Sequence, residues 1–197
     1  ITVEPASVVV TALKQAEDAK KEMDELSREL KKPQQKLTWE EQKKAEEITR
    51  RYQEIRKKLD DVQQTVDRML NEMQKNNVLS QETLSKYQEL QQVMEEMQSP
   101  EFAEAMKRLQ DAMQRMTPEA MQQALQQFSF SEDQFRKSIE RTLNLLKRIQ
   151  IEQKVDEAVK RAEEMHKLQQ ELASQKPDDP ARREAAAKAE ENLREQY

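Results

Sequence analysis

Not one of the 197 residues is glycine. Glycine is the residue that most tight turns, left-handed backbone positions and phosphate-cradling loops require. Its absence argues against a nucleotide-binding P-loop, a dinucleotide-binding fold or a domain rich in β-hairpins. What remains is a chain of helices. Charged residues make up 37% of the sequence and aromatics 4%, a composition near that of disordered chains, but the net charge is only −5 and the apolar residues are strongly periodic.

The periodicity places three long helices, at about 7–32, 38–75 and 132–174. In the first, Ala12, Ala16, Ala19, Met23, Leu26 and Leu30 are spaced 4, 3, 4, 3, 4, a heptad seam. Pro33 in "KKPQQK" ends it, because proline forces its predecessor out of the helical region. Thr38 and Glu41 then form a capping box, and the second seam runs Ala45, Ile48, Tyr52, Ile55, Leu59, Val62, Val66, Met69, Met73. Asn76-Asn77 is its expected stop.

Three short helices are expected next, at about 81–98, 100–115 and 118–127, with N-caps at Ser80, Ser99 and Thr117. Proline follows the cap twice, in "SPEF" and "TPEA". Leu79 with Leu84, and Met116 with Met121, stand at the positions of a hydrophobic staple. In "FSFSEDQF" (128–135), Ser131 and Gln134 read as a capping box that opens the last long helix, with Phe130 and Phe135 as its staple. Phe128, Phe130 and Phe135 are then a small structural cluster where short helices meet a long one. The last helix buries Phe135, Ile139, Leu143, Leu146 and Ile149; a seam of Ile151, Val155, Ala158, Ala162, Met165 and Leu172 continues it, shifted in phase near Gln150.

The expected architecture is all-α: an elongated antiparallel helical bundle or coiled coil of three long helices, with the short helices capping one end. Residues 1–6, "ITVEPA", read as an extended segment left from a preceding domain, and 7–175 as the bundle. A Pro/Asp linker at 176–180 and a helix-prone tail at 181–197, supported by a Glu184–Lys188 pair, follow.

Chemistry is sparse. Cysteine is absent, and His166 is the only histidine, so a second Glu-x-x-His to match Glu163 and His166, as di-iron bundles need, does not exist. No catalytic, cofactor-binding or metal site is expected, and no small-molecule substrate is evident. The basic pairs Arg50-Arg51 and Arg182-Arg183 sit among acids, which gives no face for nucleic acid. No stretch is long and apolar enough to enter a membrane. Six of the ten methionines, Met94, Met97, Met106, Met113, Met116 and Met121, fall in the short-helix region. They read first as core filler, then as a surface for client peptides, and last as a Cu(I) site.

The runs "NNVLSQETLSKYQELQQVMEEMQSPEF" (76–102), "FSFSEDQFRKSIERTLNLLKRIQIEQKVDEAVKRAEE" (128–164) and "LTWEEQKKAEEI" (37–48) resemble the helical region of a family of very large, uncharacterised bacterial proteins of unknown function, typical of Bacteroidetes-type lineages. The resemblance covers about residues 7–175. It implies a membrane-anchored parent protein with a β-rich extracytoplasmic part, and a place for this segment in the cell envelope, on the periplasmic side. It implies no activity and no functional residues. The expected role is therefore a non-enzymatic structural or interaction module working through helix–helix association, with a protein partner or a second copy. The alternative is a chaperone-like or adaptor surface that grips peptides through the methionine-rich region.

Overall fold

In the computed structural model, which describes residues 3–32, 36–75 and 80–174, the heptad seams become the faces along which helices meet. There are five helices among the described residues and no strand: α1 (Val3–Glu29), α2 (Trp39–Lys75), α3 (Gln81–Met97), α4 (Pro100–Arg115) and α5 (Pro118–Ser174). The chain divides into two compact units, residues 1–150 and 151–197.

Within the first unit, α1 and α2 form an antiparallel hairpin whose register is marked by three side-chain bonds. Lys44 reaches Glu29 at 2.8 Å, Arg51 reaches Glu22 at 2.8 Å, and Lys58 reaches Gln15 at 2.9 Å. Each rung lies seven residues from the next on both helices, the spacing of the apolar seam between them. Every seam residue expected on α1 is buried, with Pro5 and Val9 added. On α2 the seam holds from Ala45 to Val66; its last buried residue is then Leu70, with Met69 and Met73 half-buried. The helix begins as the sequence predicts: Thr38 N–H donates to Glu41 Oε2 at 2.7 Å, and Glu41 N–H donates to Thr38 Oγ1 at 3.2 Å.

The short helices do not cap an end of the bundle. They lie along α2, one after the other, as a single broken rod. Gln91 of α3 donates to Asp67 at 2.6 Å, Gln98 donates to Asp60 at 2.9 Å, and Phe102 of α4 meets Tyr52 edge-on at 5.9 Å. These contacts descend α2 as they ascend α3 and α4, so the broken rod is antiparallel to α2. Helix α5 returns antiparallel again: Arg141 pairs with Glu96, Phe135 stacks on Phe102, and Arg108 bonds Gln127. Lys20 of α1 touches Ser129 and Glu132 of α5, which closes the arrangement. The result is four antiparallel rods, where the sequence reading expected three with a cap.

The break in the third rod is built by its caps. Ser99 Oγ accepts from Phe102 N–H at 3.3 Å with Pro100 at the first helical position, just as Ser80 Oγ accepts from Thr83 N–H at 3.2 Å to start α3. Without glycine, the turn from α4 into α5 uses Met116 in the left-handed region, at φ 54°. Met116 is 55% exposed, while Met121, its expected staple partner, is buried.

Two further expectations are corrected. Residues Val3–Ala6, read as extended, are already helical. The break expected between 127 and 132 does not exist, since α5 runs unbroken from Pro118. Ser131 is a mid-helix residue, and Phe130, expected in the aromatic cluster, is 71% exposed. The buried face of α5 explains why: Met121, Leu125, Phe128, Glu132, Phe135 and Ile139 follow one heptad phase that a break would destroy. The expected breaks at Pro33 and Asn76-Asn77, the staple residue Leu79, and the linker and tail beyond 175 lie outside the described residues.

Truncation separates the two kinds of phenylalanine. Phe128→Ala should destabilise the fold by about 3–5 kcal/mol in urea denaturation, as for a large buried aromatic. Phe130→Ala and Ser131→Ala should each stay within about 0.5 kcal/mol, as exposed helix positions do. A loss of about 1 kcal/mol or more in Ser131→Ala would instead mark a helix cap.

Candidate functional site

Where the four rods meet, the side chains form an aromatic nest beside a buried carboxyl. Tyr52 of α2 meets Phe128 at 5.0 Å and Phe102 at 5.9 Å, both edge to face, and Phe102 stacks on Phe135 at 4.2 Å with 14° between the rings. Such pairs contribute about 0.5–1.5 kcal/mol each beyond the area they bury. Phe128 and Phe135 were expected to sit together; Tyr52 and Phe102 complete the cluster, and Phe130 is not in it.

Between Phe128 and Phe135 on the same face of α5 stands Glu132, 0% exposed, its carboxylate shut off from water with the Tyr52 hydroxyl beside it. Its cations are at a distance. Lys20 Nζ of α1 lies 3.8 Å from Oε2, and Arg136 Nε, one turn along α5, lies 3.8 Å from Oε1. Loss of water pushes the carboxyl pKa above its ordinary value, and Lys20, the Tyr52 hydroxyl and Arg136 pull it part of the way back. The Tyr52 phenol is pushed well above its ordinary range by burial and by the neighbouring Glu132. Its hydroxyl makes a long 3.5 Å bond to the Ala16 carbonyl.

No reading of the sequence singled out Glu132, Lys20 or Arg136. The signal was present: stepping back from Ile139 through Phe135 by four and then three residues lands on Glu132, and four more on Phe128. Reading Ser131 as a cap cut the seam there and left the glutamate on a surface. Chemically, the arrangement sets one carboxyl and one phenol inside a packed core, with two cations at its edge. A groove of about 600 Å³ between Pro5, Val8 and Thr11 of α1 and Lys58, Val62 and Thr65 of α2 has other lining residues, as does one of about 370 Å³ beside Phe130.

The methionines sort by the phase of their helices. Met94, Met97, Met106 and Met121 are buried, Met113 is half-buried, and only Met116 of the six is exposed. The heptad faces of α3, α4 and α5 point them inward, where Met97 Sδ accepts from Thr142 Oγ1 at 3.9 Å. The four buried ones fill space among the helices, as methionine does in irregular cores. In the second unit, His166 contacts Gln170 at 3.1 Å on an exposed helix. Among the described residues no group of three or more His, Asp or Glu is placed to hold a metal ion.

No family model, no curated protein and no solved structure matches the chain.

Oxidation distinguishes buried from exposed thioethers. Under limiting hydrogen peroxide, peptide mapping by mass spectrometry should find Met116 sulfoxide forming at least about tenfold faster than sulfoxide at Met94, Met97 or Met121, because reactivity follows exposure. Equal rates at all four would mean that the methionine-rich region opens in solution.

Proposed function

We propose that this chain is a non-enzymatic structural and protein-interaction module, the helical part of a larger bacterial envelope protein, that acts by helix–helix association. The observation that carries this reading is the apolar face of α5 beyond Gln150. Ile151 is 61% exposed, Val155 50%, Val159 52% and Leu168 49%, with Ala158 and Ala162 also exposed on the same helix. A helix that repeats apolar residues at heptad spacing gains from burying them against another helix. The second unit offers such a seam, whereas the seams of the first unit are covered by its own rods.

Support for the envelope setting is the resemblance of 76–102 and 128–164, which implies a membrane-anchored parent with this segment on its periplasmic side. Among the described residues no helix is long and apolar enough to cross a membrane, so anchoring would fall to other parts of such a parent. The peptide-gripping alternative lacks a favouring observation, because only one of its six methionines is exposed.

Light scattering coupled to size exclusion tests the association. Across rising protein concentration, the mass should climb from 23.3 kDa toward a multiple of it. Val155→Glu with Val159→Glu should hold it at the monomer, because two charges would have to be buried in the seam. A wild-type monomer at every concentration would overturn self-association. An oligomer indifferent to the double substitution would overturn the seam as its surface.

A further inference from the structure

We propose that Glu132 is a proton-operated latch between α5 and the α1–α2 hairpin, docking α5 more firmly when its carboxyl is protonated than when it is charged.

The geometry is asymmetric in a way that favours the neutral form. Charged, the carboxylate is fully buried, faces two cations no closer than 3.8 Å, and has the Tyr52 hydroxyl beside it as a donor in place of water. That is weak compensation for removing an ion from water. Neither cation depends on Glu132 in return. Lys20 has Asp24 at 3.4 Å and Ser129 at 3.3 Å; Arg136 has Asp133 at 2.8 Å and Glu140 at 2.9 Å. Protonating Glu132 therefore removes the buried charge and leaves both cations paired at the solvent edge, where each is about a quarter exposed.

The groups facing the carboxyl come from three of the rods. Lys20 and Asp24 belong to α1, Tyr52 to α2, and Asp133 and Arg136 to α5, while α4 contributes the apolar ring of Phe102 to the surrounding nest. Tyr52 holds its proton throughout the physiological range, since burial raises its pKa. Asp133 is shifted the other way, held low by Lys137 and Arg136, so it remains charged where Glu132 titrates.

The sign follows from linkage. A carboxyl whose folded pKa lies above the ordinary 4.5 takes up more protons in the folded state than in the unfolded state over that interval. Folded stability is then greatest below 4.5 with respect to this group and declines as pH rises through the folded pKa. Asp133, held low by Lys137 and Arg136, acts in the opposite direction and at lower pH.

Hydrogen exchange on the full chain at pH 5, 6, 7 and 8 reads the latch, with protection factors corrected for the intrinsic pH dependence. Amides of α5 between 121 and 149 and of facing α1 should lose protection by about tenfold per pH unit up to the folded pKa, because one proton is linked to opening. Amides of α3 should lose less. In Glu132→Gln the protection should be flat over the range and exceed wild type at pH 8. A variant that follows the wild-type profile, a wild type whose protection rises with pH, or an equal loss in all five helices would overturn the latch. Carbon-13 titration of the Glu132 carboxyl in wild type decides the matter without any variant: a midpoint above 4.5 is expected, and one at or below it sinks the proposal.

Discussion

Tyr52 is the side chain on which the four-rod arrangement converges. It lies in the unbroken seam of α2, its hydroxyl reaches back to Ala16 of α1, and its ring takes the edges of Phe102 from α4 and of Phe128 and Phe135 from α5. A ring this size, fully buried, fixes both spacing and register, because interiors pack at crystal-like density and tolerate little sliding. The hairpin, the broken third rod and the returning helix are held in one relation by that single set of contacts. The buried carboxyl beside it is tolerated because the surrounding aromatics hold the rods together.

The parts of this fold legible in the sequence are those governed by period and by local caps. The α1 and α2 seams, the Thr38–Glu41 box and the caps at Ser80 and Ser99 follow from spacing and from side chains that reach only one turn. The misreading at Ser131 has the same origin. A Ser-x-x-Gln pattern is compatible with a helix start, but it is also tolerated inside a helix whose apolar phase continues, and here the phase from Met121 to Ile139 prevails. Phe130 follows from that error, since on a continuous helix it is two residues from Phe128 and faces away. Glu132 was hidden because a charge in a seam breaks the apolar pattern by which seams are found. Nor does any local rule tell a short helix that covers an end from one that lies along a side; only the pairings Gln91–Asp67 and Gln98–Asp60 decide it.

The two units differ in how they dispose of apolar surface. The first turns most of its leucines, methionines and aromatics inward, Trp39, Met116 and Phe130 excepted, and sets polar residues in rungs such as Arg51–Glu22 and Arg141–Glu96. In the second, α5 keeps the same spacing of apolar residues while leaving them in water. The sequence marks the change only as a phase shift between Ile149 and Ile151, which periodicity detects but cannot interpret as covered or bare.

The connectivity of the rods carries a consequence for how the chain folds. Each rod pairs with the one before it in sequence, so three of the four interfaces form by closing hairpins between neighbours, with modest loop entropy. The fourth, between α1 and α5, is different: the bond from Lys20 to Ser129 joins residues 109 apart. That contact closes the ring of helices and carries the largest entropic penalty, so it belongs late in assembly. Formation of the hairpins is then governed by local seams, whereas completion of the bundle waits on bringing Glu132 out of water beside a lysine that stays partly exposed.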